Sequence, residues 1–426
     1  MSMSALGSPL LTCRLVTTTR VRGVIKERPE DFLVDELPRI EPSGQGEHLH
    51  MGIQKSGVTH DEMVRVLARH CGVREGAIGH AGMKDRQAVT RQTVSVHLPG
   101  LPDPPVLEHP SMQVLWTRRH DGKLRPGQLR GNRFSIRVRQ TDPLAAPRVL
   151  QAMRQLERVG APNAYGVQRF GHRRNSHVLG SLLAQERWED LLQELAGVSG
   201  SPFPESQREA RERFAAGDYA ASVPLWARGD FAERAVTRAL AEGRSARSAV
   251  LSVRGPMRSF WLNAVQSAVF NAVLSARMER GLFNRFIPGD VANLHPGRSL
   301  FRVTGAMLAR PEDAQTLATR VDAFECSPTG PMIGATGMPS EEEAAELERA
   351  VAAATGLDVD RFLASTAARE GERRSLRMRV SSAEVESGID QHGAFVRLAF
   401  DLPRGGYATE VLAEIFETPQ PQAAES

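Results

Sequence analysis

The chain has 426 residues, 41% of them hydrophobic, which suits two or three domains with cores of their own and excludes a disordered protein. No apolar run approaches the length of a membrane span, and three scattered cysteines (Cys13, Cys71, Cys326) without a Cys-x-x-Cys pair suggest neither a disulfide framework nor a zinc site. The expectation is a cytoplasmic protein with no metal. The formal net charge is only +4, yet eight basic residues fall between Met112 and Gln140: Arg118, Arg119, Lys123, Arg125, Arg130, Arg133, Arg137 and Arg139, with Asp121 the lone acid. A second basic cluster is Arg369, Arg373, Arg374, Arg377 and Arg379. Such stripes attract phosphates at long range, so a polyanionic partner is expected.

In chain order, the residues up to Thr19 read as a loose arm. Gly23-Val-Ile-Lys-Glu and Phe32-Leu-Val-Asp-Glu read as two short strands around a turn, with Lys26 just before it. Residues 41–47 are a loop. Residues 59–71 read as a helix, opened by the Thr59-x-x-Glu62 capping box and carrying Met63, Val66, Leu67 and His70 at helical spacing.

The next stretch, Gly79-His-Ala-Gly-Met-Lys-Asp-Arg-Gln-Ala-Val-Thr-Arg-Gln92, concentrates the chemistry. Its glycines admit crowded or left-handed backbone and leave room for a flat ligand. Asp85 stands between Lys84 and Arg86, whose charges favour its ionised form, and is the candidate nucleophile or base. Alone, Lys-Asp-Arg on a turn is also what a solvated charge cluster looks like. The stretch is neither a dinucleotide fingerprint nor a phosphate loop.

Val94, Val96 and Leu98 alternate with Thr93, Ser95 and His97 as in a half-buried strand. A second strand begins at Phe134, with Ile136 and Val138 on the same face; as its first residue, Phe134 is expected at the sheet edge. Beyond Ala161 the chain is polar and mainly helical, with a dense loop at 163–171 and helical patterns across 175–256. Residues 260–278 read as an amphipathic helix with Leu262, Val265, Val269 and Val273 on one stripe. Residues 327–337 read as a glycine-rich loop and 340–354 as a solvent-facing acidic helix. A strand with Val396, Leu398, Phe400 and Leu402 on one face then precedes a helix carrying Val411, Leu412 and Ile415, and residues 418–426 read as a disordered tail. Strands bracketing a helical middle suggest an interrupted α+β domain.

Six motifs, in order, carry a resemblance: Lys26-x-x-Pro29-Glu-Asp-Phe32, Ala81-Gly-Met-Lys-Asp85-Arg-x-Ala-Val-Thr-x-Gln92, Gly131-Asn132-x-Phe134, Gln168-Arg-Phe-Gly171, Pro328-Thr-Gly-Pro331 and Leu402-Pro-x-Gly-x-Tyr-Ala-Thr409. Together they resemble the TruD family of tRNA pseudouridine synthases across about residues 21–417. The chain departs from the family pattern at Ala164-Tyr165 and Tyr407, and its segment 174–257 is unusually long. The resemblance implies a discontinuous pseudouridine synthase catalytic domain, a mainly antiparallel sheet with packed helices, in residues 1–160 and 379–426. A mainly helical α+β domain is inserted at 161–378. It implies conversion of uridine to pseudouridine in tRNA, typically at position 13, by Asp85 without cofactor. Lys26 is implied to hold Asp85 ionised, Asn132 to meet the uracil or ribose edge, and Phe134 and Tyr407 to sandwich the base. Gln168 and Arg169 are expected near the RNA or the domain junction. Arg118, Arg119, Lys123, Arg125 and Arg130, with part of the 369–379 cluster, are the expected phosphate wall, and the protein is expected to act as a monomer. A non-catalytic RNA binder with a structural Asp85, or a synthase for another RNA, fits the same charge pattern.

Overall fold

The computed structural model describes residues 8–11, 13–297, 299–364 and 370–417; Arg369 and the expected tail at 418–426 lie outside them. The chain divides into two compact units. One comprises Val16–Ala161 with the chain from Met378 onward, and the other Pro162–Arg377 with the residues before Val16.

The first unit is built on an eight-stranded sheet of β1 (Phe32–Pro38), β2 (His48–Ser56), β3 (Ile78–His80), β4 (Val89–His97), β5 (Met112–His120), β6 (Leu129–Arg139), β7 (Ser381–Asp390) and β8 (Gly393–Pro403). The spatial order is β7-β8-β6-β1-β4-β2-β5, with β3 also pairing on β4. Every ladder is antiparallel except β1 with β4, so the sheet is mainly antiparallel. Helices α1 (His60–His70), α2 (Ala146–Val159) and α3 (Ala408–Ile415) complete the unit. Thr59 caps α1 by accepting the Glu62 amide at 3.2 Å. Met63 and Leu67 then pack on Leu49, Met51, Ile53, Val94 and Val96; each such side chain, fully buried, contributes about 1.5–3 kcal/mol. A second core joins α2 and α3 to Phe32, Val34, Phe134, Ile136, Val138, Leu398 and Phe400.

Three strand expectations of this unit change. The strand expected over residues 23–27 is reduced to an isolated bridge between Val24 and Arg139, the local strand being Val21–Arg22. β4 is buried on both faces, since Thr93 and Ser95 are covered as well as Val94 and Val96. The 121–128 loop closes over it, the Leu124 amide donating to Ser95 Oγ at 2.9 Å. β6 starts five residues before Phe134, which therefore sits mid-strand between β1 and β8, opposite Val34 and Phe400, and not at the sheet edge. Gly131 is required here for space: a Cβ would lie 2.0 Å from the Leu402 carbonyl oxygen.

In the second unit, helices between Ser176 and Glu279 stand with a four-stranded sheet ordered Leu300–Val303, Asp290–Leu294, Cys326–Met332 and Glu372–Ser375. The helix Gly255–Glu279 is buried from Trp261 to Met278 on more than one stripe, because Val265 and Val269 face one core while Phe270 and Leu274 face another. Leu10, Leu11, Cys13 and Leu15 pack on that second core, so the described part of the arm is held. The expected loop at 327–337 is largely the buried strand Cys326–Met332. Its glycine permits a close approach, a Cβ on Gly330 meeting the Phe270 ring at 3.0 Å. The acidic helix Glu342–Ala354 buries Ala344, Leu347 and Ala352, so it is only partly solvent-facing. Among the described residues no helix is long and apolar enough to cross a membrane.

Candidate active site

Asp85 lies in the 81–88 loop between β3 and β4. Neither neighbouring glycine takes a left-handed backbone. A Cβ on Gly79 would meet the Leu124 carbonyl oxygen at 2.4 Å, whereas one on Gly82 would have only the Lys84 Nζ within 4 Å, at 3.5 Å. The first glycine is there for packing, and the second leaves the open space expected beside the carboxylate.

The charges around Asp85 are not those its sequence neighbours suggest. Lys84 turns inward, its Nζ 2.9 Å from Glu36 Oε2, and Glu36 Oε1 accepts the Thr93 amide at 3.2 Å. Arg86 Nε donates to the Gly57 carbonyl at 3.0 Å. The partner of Asp85 is Lys26, whose Nζ is 2.5 Å from Asp85 Oδ2. Asp85 Oδ1 accepts the Gln87 amide at 3.1 Å. Burial pushes the carboxyl up, but the Lys26 hydrogen bond, the Gln87 amide and the Lys26 charge outweigh it and hold Asp85 below its ordinary value. With its side chain 37% exposed, Asp85 is an ionised carboxylate that a ligand can still reach.

The other candidates of this unit follow from β6 and its neighbours. Lys26 Nζ stands 4.8 Å from the Phe32 ring centroid, Phe32 meets Phe134 edge-on at 6.3 Å, and Phe134 stacks on Phe400 at 5.7 Å. A continuous file thus runs from the Lys26–Asp85 pair to Phe134. Phe134 is 7% exposed, more core than open platform. Asn132, two residues earlier on the same face, lies opposite Glu36 and Leu402. Its Oδ1 is buried and has no hydrogen-bond partner among the described residues, which is what an acceptor reserved for a ligand looks like. Tyr407 precedes α3 and is 39% exposed.

Gln168 and Arg169 belong to the other unit, on the short turn Val167–Phe170; Gln168 is exposed and the Arg169 guanidinium lies 4.8 Å over Tyr165. Of the expected wall, Arg118, Lys123, Arg125 and Arg130 are exposed. Arg119 is engaged with Asp103 and the carbonyls of Leu98 and Leu101. Of the second cluster, Arg379 is exposed and three other arginines are engaged within the protein. Arg373 is clamped to Glu348 and Thr329, Arg374 lies over Tyr165, and Arg377 is buried over Phe324 at 4.0 Å. Two residues escaped the sequence reading, Glu36 and Lys55. Each interrupts an apolar face, Glu36 after Phe32 and Val34, Lys55 after Leu49, Met51 and Ile53, and that interruption was the available signal.

Compared with known families, residues 11–415 match tRNA pseudouridine synthase D (TruD). A tRNA pseudouridine synthase D of Geobacter sp. (strain M21) is 39% identical over 398 residues, spanning 93% of this chain and 96% of the relative. That of Geobacter sulfurreducens is 38% identical over 401 residues, spanning 93% and 94%. Among solved structures, a protein from Methanosarcina mazei named for the same family superposes with a TM-score of 0.80 at 23% identity, covering 98% of each chain. That likeness establishes the α+β fold.

Proposed function

The chain belongs to the tRNA pseudouridine synthase D (TruD) family, and from that premise we propose how its residues isomerise uridine to pseudouridine in tRNA. The sheet unit is the catalytic domain and the helical unit the inserted one. The reaction breaks the N1–C1′ glycosidic bond, turns the uracil, joins its C5 to the same C1′ and releases the C5 proton. Nothing is oxidised or reduced and no outside group is transferred, so the chemistry asks for no cofactor.

Asp85 is the reacting carboxylate, as nucleophile or base toward the flipped uridine. The observation that carries this is the Lys26–Asp85 contact of 2.5 Å on a loop with open space beside Gly82. Lys26 opposes the effect of burial and holds the carboxyl below its ordinary value. The unpartnered Asn132 Oδ1 accepts from the base or ribose edge, while Tyr407, the more open ring, covers the base from outside. Phe134 closes the inner wall. Extruding a nucleotide costs a few kcal/mol, which this stacking and hydrogen bonding offset. The target is uridine 13 of tRNA, as the resemblance implies, and the enzyme works as a cytoplasmic monomer.

Pseudouridine and uridine have equal mass, so the test is tritium release from C5-labelled uridine in tRNA transcripts. Asp85→Ala is expected to bind tRNA as the parent does and to release no tritium. Undiminished release would refute the role of Asp85. Release that survives replacement of uridine 13 alone would refute the assigned position.

A further inference from the structure

Lys55, the penultimate residue of β2, is 1% exposed. A lysine so buried ordinarily finds a carboxylate, because an unpaired buried charge is costly. Lys55 finds three carbonyls instead. Its Nζ donates to Val58 O at 2.8 Å, Asp85 O at 3.1 Å and Lys84 O at 3.4 Å, which uses all three ammonium protons. The segments it joins are also tied directly, Gly57 N donating to Arg86 O at 3.2 Å and Arg86 Nε to Gly57 O at 3.0 Å. The end of β2, the entry to α1 and the Asp85 loop therefore meet around one cation.

We propose that Lys55 is a positioning residue for the reaction, fixing the main chain of the Asp85 loop and with it the carboxylate, an inference that rests on Asp85 being the reacting group. Neutral donors would suffice merely to close a turn. The chain instead keeps a charge where burial opposes it, directly behind the residue that must stay anionic. The titratable groups that face Lys55 are Asp85, Lys84 and His60. Burial pulls Lys55 down while the Asp85 charge supports it; His60 is pulled down first by burial, then by His80. A misplacement of about 1 Å at a reacting group costs about a hundredfold in rate, so a loop anchor is felt in turnover before it is felt in affinity.

The test compares Lys55→Met, Lys55→Gln and Asp85→Asn with the parent for thermal unfolding, tRNA binding, kcat and KM, and the pH dependence of kcat/KM. Lys55→Met is expected to bind tRNA with unchanged KM and to lose about 10- to 100-fold in kcat. Its acid limb is expected to move to higher pH, because a positive charge near Asp85 has gone. The glutamine variant, which keeps N–H donors without the charge, decides the matter if the methionine variant does not fold. Parental kcat with an unmoved acid limb in either folded variant overturns the proposal. Failure of both to fold also overturns it, by making Lys55 a folding residue. Turnover retained by Asp85→Asn would overturn the reading beneath it, and is distinguishable because Lys55 is intact in that variant.

Discussion

Lys26 reaches Asp85 at 2.5 Å from a backbone with φ of 58°, in the left-handed region that most residues avoid. The turn that precedes β1 thus accepts a strained residue to aim an ammonium at a carboxylate on a distant loop. Lys26→Met is expected to let burial raise Asp85, since the lowering partner has been removed. The acid limb of kcat/KM should move up by about 1–3 pH units. Lys26→Gly should lose activity in the same way while gaining about 1 kcal/mol of stability over the methionine variant, since glycine accepts this φ. Equal denaturant midpoints for the two variants would count against the strain.

A second prediction concerns acid. Arg139 is buried between Asp31 and Asp390, with contacts of 2.7 Å and 2.6 Å. The Arg139 hydrogen bond, and after it the His392 amide, hold Asp390 down at about 2. A depressed carboxylate contributes stability that is complete above its unfolded value, near 4, and is lost as pH falls through about 2. Urea midpoints should therefore fall between about pH 4 and pH 2. Arg139→Met should flatten that dependence and cost about 3–5 kcal/mol at neutral pH, because it strands Asp31, itself 1% exposed.

The two aromatic residues assigned to the base should separate cleanly. Phe134→Ala removes a ring packed on Phe32 and Phe400 and should cost about 3–5 kcal/mol of stability. Tyr407 is 39% exposed, and Tyr407→Ala should stay within about 0.5 kcal/mol of the parent. It should raise KM for tRNA about tenfold, within the range expected for removing one base stack. Thermal unfolding and tritium-release kinetics on both variants check this.

Salt should sort the basic residues. Replacing Arg118, Lys123, Arg125 and Arg130 with glutamine is expected to flatten the dependence of log K for tRNA on log salt by about 0.7–0.9 for each phosphate no longer neutralised. Arg119→Gln should lower thermal stability with the slope unchanged, since its guanidinium is occupied by Asp103 and two carbonyls.

The features legible in the sequence are those set by short-range pattern. The Thr59 cap, the alternation of β6 and β8, and the compact loop around Asp85 all depend on residues a few positions apart. Pairing across the sheet was not legible. Lys84 and Arg86 flank Asp85 in the chain, yet Lys84 belongs to Glu36 and Arg86 to Gly57, and only the folded register shows it. The edge position expected for Phe134 failed because β6 begins with Leu129-Arg-Gly, a weak strand pattern paired with β1 and, at Gly131, with β8 as well. The glycines and prolines of 326–332 read as a loop but fill a strand interior, where Gly330 lets the Phe270 ring come close.

The strand that carries Asn132 and Phe134 is flanked on one side by β8, which is made of residues 393–403. A ribosome must therefore translate through β8 before those residues gain their second neighbour. Until then β6 presents a raw margin of unpaired amides and carbonyls, so a chain terminated before that point yields a sticky fragment without enzymatic value. Assembly of the reaction centre is in this sense a checkpoint on how far synthesis has run.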